Sequence, residues 1–157
     1  MLSASPRSNA RRFLELPSRD QRLLCEAWWR LLAAALRLWV APRRTVATAL
    51  VESAPRARSS EAGGTAAQVT RAVGRAAAHH LRPMTCLPRS IALQRMLARR
   101  GIASRMQIGV SKEGGAPSGI TAHAWIEVDG EPVGEPQAIE ERFLPLLGTE
   151  RFITPSK

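Results

Sequence analysis

A chain of 157 residues, 45% hydrophobic and 23% charged, is long enough to bury one core and too ordinary in composition to be disordered, collagenous or a disulfide scaffold. It has two cysteines, no uncharged apolar run long enough to span a bilayer, and an N-terminus (MLSASPRSNARR) without the apolar stretch of a secretory signal; these predict a cytoplasmic protein with free thiols and no transmembrane segment. The net charge of +10 is uneven: residues 113–157 carry eight acids against three bases, a net of −5, which leaves +15 on residues 1–112. A basic half suits an acidic peptide, an acidic partner protein, nucleic acid or simply solvated helix faces. No zinc finger or aromatic RNA-binding motif accompanies the arginines, so no nucleic acid is predicted as a partner.

Residues 1–12 read as frayed. In Leu16-Pro17-Ser18-Arg19-Asp20-Gln21, Ser18 is placed as an N-cap and Gln21 completes a capping box, which predicts a helix running to about Val40, where Ala41-Pro42 stops it. Its run LLCEAWWRLLAAALRLWV is apolar over much of its circumference, interrupted by Glu26, Arg30 and Arg37. Such a helix must be covered by the rest of the domain, a partner or a membrane surface, and packing on core or partner is the expectation. Cys25 reads as a small buried apolar residue.

A second helical piece covers Arg43 to Val51, and SAPRARSSEAGG (53–64) reads as a linker. A third helix runs from about Thr65 to Leu81, with Val69, Val73, Ala76, Ala77 and His80 at helical spacing, and Arg82-Pro83 ends it. The fourth begins near Cys86 and ends at Arg100, with Gly101 as its stop. From Ser104 the period becomes two. Met106, Ile108 and Val110 alternate, SKEGGAPSG is a loop, and His123 to Val128 alternates again, with Ala124, Ile126 and Val128 on one face and His123 and Trp125 on the other. Helices followed by a small antiparallel sheet give an α+β class.

The chemistry concentrates at TCLPRS (85–90), where Cys86 stands at the mouth of the fourth helix. A thiol attacks only as its thiolate, and a free thiol with a pKa of ~8.5 holds little of it at neutral pH. A helix N-terminus supplies about half a positive charge and unpaired N–H groups, which favour the thiolate and can hold the oxyanion formed on a carbonyl. Pro88 is compatible with a first helical turn. His123, on an alternating segment, is the candidate base that takes the thiol proton and returns it to a leaving amine; the bland alternative is a half-exposed strand histidine. Trp125, on the same strand face, is placed either to line the cleft for a substrate chain or to pack in the core.

The base needs an orienter. A three-residue turn at Val128-Asp129-Gly130 with a bulge at Gly130 sets His123 opposite Glu135, whose carboxylate then reaches the imidazole. A two-residue turn at Asp129-Gly130 would put Glu135 on the other face, so the triad is expected to depend on the bulged turn. Asp129 itself is a turn former.

The stretches CLPRSIALQRMLARRGI, MQIGV and AHAWIEVDGEPVGE, in that order over about residues 65–140, resemble the transglutaminase-like cysteine protease domain of lasso-peptide biosynthesis, a leader peptidase. RRFLELPSRDQRLLCEAWWRLL resembles the region that precedes the protease in that family. The resemblance implies a papain/transglutaminase-like core, in which a helix bearing the cysteine packs on a small antiparallel sheet (residues 59–157), after an N-terminal helical region (residues 1–58) suited to docking a partner or leader. It places the nucleophile on Cys86, the base on His123 and the third member on Glu135, where the family more often has Asp. It further implies removal of the leader from a precursor peptide, without a cofactor. Two partners follow from it, a separate leader-recognition protein and an ATP-using lasso cyclase of asparagine-synthetase type.

Three other readings stay open from the residues. His79, His80, Cys86 and His123 are metal-ligand types, but no CxxC or HxxxH spacing accompanies them, so no metal is expected. The same Cys-His-Glu set could transfer an acyl group to an amine, as a transglutaminase does. A non-catalytic basic binding module is the third.

Overall fold

A proline opens the first long helix. In the computed structural model, which describes residue 11 and residues 13–51, 62–111, 121–135 and 139–146, α1 spans Ser18–Val40 with Pro17 in the N-cap position and no side-chain cap. The capping box expected at Ser18 is not formed, because Ser18 is already helical, whereas an N-cap residue must be extended. Gln21 instead donates from Nε2 to the carbonyls of Leu14 (3.2 Å) and Leu16 (3.0 Å), pinning the turn that enters the helix. At the other end, Thr45 Oγ1 donates to the carbonyls of Arg37 (3.1 Å) and Ala41 (2.8 Å), joining α1 to α2 (Pro42–Val51) across the break at Ala41.

The third helix, α3, spans Ala62–Ala78, and the fourth, α4, spans Cys86–Ala98. Most of the frayed N-terminus, most of the linker and nearly all of the 111–119 loop expected from sequence lie outside the described residues. Ala27, Leu31 and Ala34 of α1 share one buried cluster with Val69 and Val73 of α3, Ile91, Met96 and Leu97 of α4, and Met106 and Ile126 of the sheet. Fully burying a side chain of the size of Leu31 stabilises the fold by about 1.5–3 kcal/mol, so α1 is part of the core. Residues from the region expected as 1–58 and from that expected as 59–157 share this cluster. Arg100 holds α1 from the far end of α4, with its guanidinium 2.7 Å from Glu26.

One face of α1 is left uncovered. Trp29, Leu36, Trp39 and Val40 are exposed, opposite the buried row. Cys25 shares that outward side and is exposed, a correction to the buried role expected for it: helical period sets it about half a turn from Ala27 and Ala34.

The sheet comprises β1 (Arg105–Ser111), β2 (Ala122–Val128), β3 (Glu131–Val133) and β4 (Phe143–Pro145), preceded by the short α5 (Ile139–Arg142). Its order is β3-β2-β1-β4 and every pairing is antiparallel. Met106 pairs with Ile126 and Ile108 with Ala124, and these residues with Val128 form the face that meets the helices. Gln107, Gly109, His123, Trp125 and Glu127 alternate to the other face. Gly109 is required there, since a Cβ on it would stand 2.9 Å from the Trp125 ring and 2.9 Å from the Leu144 carbonyl.

Candidate active site

Helix α4 starts at Cys86, and Thr85 before it has extended geometry (φ −68°, ψ 176°) with no side-chain cap. The first N–H groups of the helix are thus left without a capping side chain beside the half-buried thiol. Pro88 is buried in the first turn, where its missing N–H costs no helical hydrogen bond. One turn beyond Cys86 on the same face, Ser90 Oγ donates to the Ala124 carbonyl at 2.9 Å, a buried hydrogen bond.

That bond has a topological reason. β3 ends at Val133, paired with Ile126, so the carbonyl of Ala124 on the same edge of β2 has no strand beside it. Ser90 supplies the donor and fixes the start of α4 against the residue next to His123. Ser90→Ala is expected to lower stability by about 1–3 kcal/mol by orphaning this carbonyl, read as a shift in the urea midpoint at constant m-value.

The turn between β2 and β3 differs from the bulged form expected. Val128 pairs with Glu131 and Ile126 with Val133, which leaves Asp129-Gly130 as a two-residue turn. Both have positive φ, 53° and 86°, the signature of a type I′ hairpin. Continued as a strand, this register would carry Glu135 away from His123. It does not continue, because Gly134 takes φ 76° and turns the chain. Glu135 Oε2 accordingly lies 3.1 Å from His123 Nε2, with both side chains less than a quarter exposed. The contact expected from the bulged turn is made through the other turn, by way of a glycine just past the strand.

His123 is held on two further sides. Its ring lies parallel to that of Trp125, centroids 6.4 Å apart, and 5.2 Å from that of Phe143 on β4. Phe143 has no distinguishing signal in the sequence, since only the pairing of β4 with β1 brings it here. Trp125 is 1% exposed, packed as in the core alternative of its two readings; its Nε1 donates to Glu127 (3.1 Å), which also accepts from Gln107 (3.0 Å). The indole is a fixed wall behind the imidazole.

Glu135 connects the two halves. Besides meeting His123, it lines a small pocket with Cys86, Thr70, Arg89 and Gly134. No hydrogen bond among the described residues engages the Cys86 thiol, and such bonds commonly tighten only when substrate is present. A neutral imidazole that donates from Nε2 to the Glu135 carboxylate leaves Nδ1 as its proton acceptor. His79 and His80 lie apart from this set. His80 stacks on Trp28 of α1 at 4.8 Å. Among the described residues no three His, Cys, Asp or Glu side chains converge as a metal-ligand set, and no helix is long and apolar enough to cross a membrane.

The sequence matches the family model described as the transglutaminase-like superfamily over residues 28–148, a span that starts within α1 and includes Cys86, His123 and Glu135. No curated protein and no solved structure matches the chain.

Proposed function

The chain belongs to the transglutaminase-like superfamily, which includes cysteine proteases and transglutaminases, and within it we propose a cysteine peptidase that removes the leader from a lasso-peptide precursor before a partner cyclase closes the macrolactam. The observation that carries the reading is the 3.1 Å contact of His123 with Glu135, a carboxylate that also lines the pocket of the helix-terminal Cys86.

In this mechanism Nδ1 of His123 takes the thiol proton while Nε2 stays bound to Glu135, which keeps the imidazole in one tautomer and offsets its charge once protonated. The thiolate attacks the carbonyl carbon of the last leader residue. A tetrahedral oxyanion forms, held by the Cys86 N–H at the start of α4. It collapses as the imidazolium gives its proton to the departing amine, which becomes the N-terminus of the core peptide. Water, deprotonated by His123, then cleaves the thioester and frees the leader. Water as the final acceptor makes this hydrolysis; an amine in its place would make it transfer.

The partners in this reading are a separate leader-recognition protein and an asparagine-synthetase-type cyclase, and the exposed row Trp29, Leu36 and Trp39 on α1 is our candidate for the recognition protein's docking surface. Exposed Trp on a helix otherwise rooted in the core is the residue type that anchors interfaces. Incubation of the protein with a cognate full-length precursor and the recognition protein is expected to give a single cut at the leader–core junction by mass spectrometry. Demonstrable binding of the precursor with no cut, or incorporation of an added amine in place of water, would remove the peptidase reading.

A further inference from the structure

The oxyanion formed on the substrate carbonyl has one donor in the mechanism above, the Cys86 N–H, and Arg89 is placed to be a second. Cys86 and Arg89 are three residues apart on α4, hence neighbours on one helical face. A helical side chain leans back toward the N-terminus, which carries the guanidinium toward the turn that holds the thiol. Arg89 is half-buried and lines the same pocket as Cys86 and Glu135. Among the described residues no carboxylate pairs with it and no hydrogen bond engages its guanidinium. Five N–H groups partly withdrawn from water without an anion carry a cost that an ion pair ordinarily offsets. Glu135, the acid that lines this pocket, gives its Oε2 to His123 instead.

The size of the pocket decides which anion Arg89 can meet there. It has room for about 20 Å³, enough for one oxygen-sized group and too little for a carboxylate side chain. In acyl transfer at Cys86 a negative charge on a single oxygen arises in the tetrahedral intermediate. His123 does not line the pocket, so an oxygen placed in it leaves the imidazole to the departing amine. A charged donor also holds an oxyanion about twice as strongly as a neutral one. We propose that Arg89 is a catalytic residue, whose guanidinium donates to the oxyanion together with the Cys86 N–H. The inference rests on Cys86 as the acyl-accepting nucleophile of the proposed function and on neither the precursor nor the partners.

The test compares two reactions of the same thiol. p-Nitrophenyl acetate acetylates it through an oxyanion: the thiolate adds to the carbonyl carbon, and the C–O bond to p-nitrophenolate then breaks to leave the thioester. Iodoacetamide alkylates it by direct displacement of iodide, with no oxyanion. Both rate constants are measured on the full chain, with Cys86 separated from exposed Cys25 by mass spectrometry. Arg89→Gln is expected to slow acetylation by about 10²-fold and to change alkylation by less than about twofold. Arg89→Lys keeps the stem and a cation without the planar fork, so it should regain part of the acetylation rate, and it carries the test if Arg89→Gln lowers the urea midpoint. Arg75→Gln, exposed on α3 and outside this pocket, is expected to leave both rates unchanged. Acetylation of Arg89→Gln within about twofold of wild type overturns the proposal. An equal loss in both reactions also overturns it, since Arg89 then acts on the thiol or through Glu135 and His123. Wild-type Cys86 that is alkylated but never acetylated rejects the acyl-enzyme, and the role of Arg89 with it. A selective loss of acetylation in Arg89→Gln, where the wild type cuts no precursor, keeps Arg89 as an oxyanion donor and rejects the leader-peptidase reading alone.

Discussion

Cys86→Ala protein is expected to leave the precursor uncut, with leader removal slowed by about 10⁴–10⁶-fold relative to wild type, and His123→Ala is expected to fall in the same range. The two residues act as one unit: without the thiol there is no nucleophile for the imidazole to activate, and without the imidazole there is no positioned base to take the thiol proton or acid to protonate the leaving amine. The double variant should therefore be no slower than either single one, well short of the product of the two losses. Glu135→Gln retains the shape but replaces a carboxylate by an amide that does not offset the imidazolium, and a loss of about 10²–10⁴-fold is expected. Single-turnover rates at saturating precursor, read by mass spectrometry, separate these effects from binding. Residual cutting by Cys86→Ala at a few per cent of the wild-type rate would exclude Cys86 as the nucleophile. A Glu135→Gln rate within about twofold of wild type would reduce the 3.1 Å contact to a packing detail.

How far the sequence reaches depends on which forces set each feature. Helices α1 and α4 and strands β1 and β2 are close to their expected bounds, because apolar periodicity encodes them directly. Capping and turn type depend on a few torsions, and there expectation and structure diverge. Ser18 and Gln21 have the right spacing for a capping box, but Pro17 takes the cap position first. Asp129-Gly130 carries the composition of both hairpin turns, and the two positive φ values settle on the shorter one. Exposure is the other blind spot. The pattern of α1 shows that it is apolar nearly all round, but not which side meets α3 and α4, so Cys25 reads as buried when it stands outside. Trp125 is legible as to strand face but not as to cleft or core: the absence of a side chain at Gly109, which lets the indole lie across β1, is a tertiary fact. Phe143 and Thr70 reach the site only through pairing and packing between segments far apart in the chain.

Gly134→Ala tests the device that joins sheet to site. The residue has φ 76°, where a Cβ costs about 1–2 kcal/mol, and that Cβ would also collide with the Thr70 methyl. Relief by returning to negative φ would extend β3, and by the pairing of Ile126 with Val133 an extended strand turns Glu135 to the face opposite His123. Stability and activity should therefore both fall, by about 2–4 kcal/mol and by an amount near that of Glu135→Gln. The two causes separate in a double variant. Thr70→Ala removes the colliding methyl but leaves the positive φ, so with Gly134→Ala it should recover part of the urea midpoint and little of the activity. Full recovery of both would mean that the collision alone mattered and that the torsion does not aim Glu135. Unchanged activity in Gly134→Ala alone would mean that the left-handed torsion at Gly134 is not what brings Glu135 to His123.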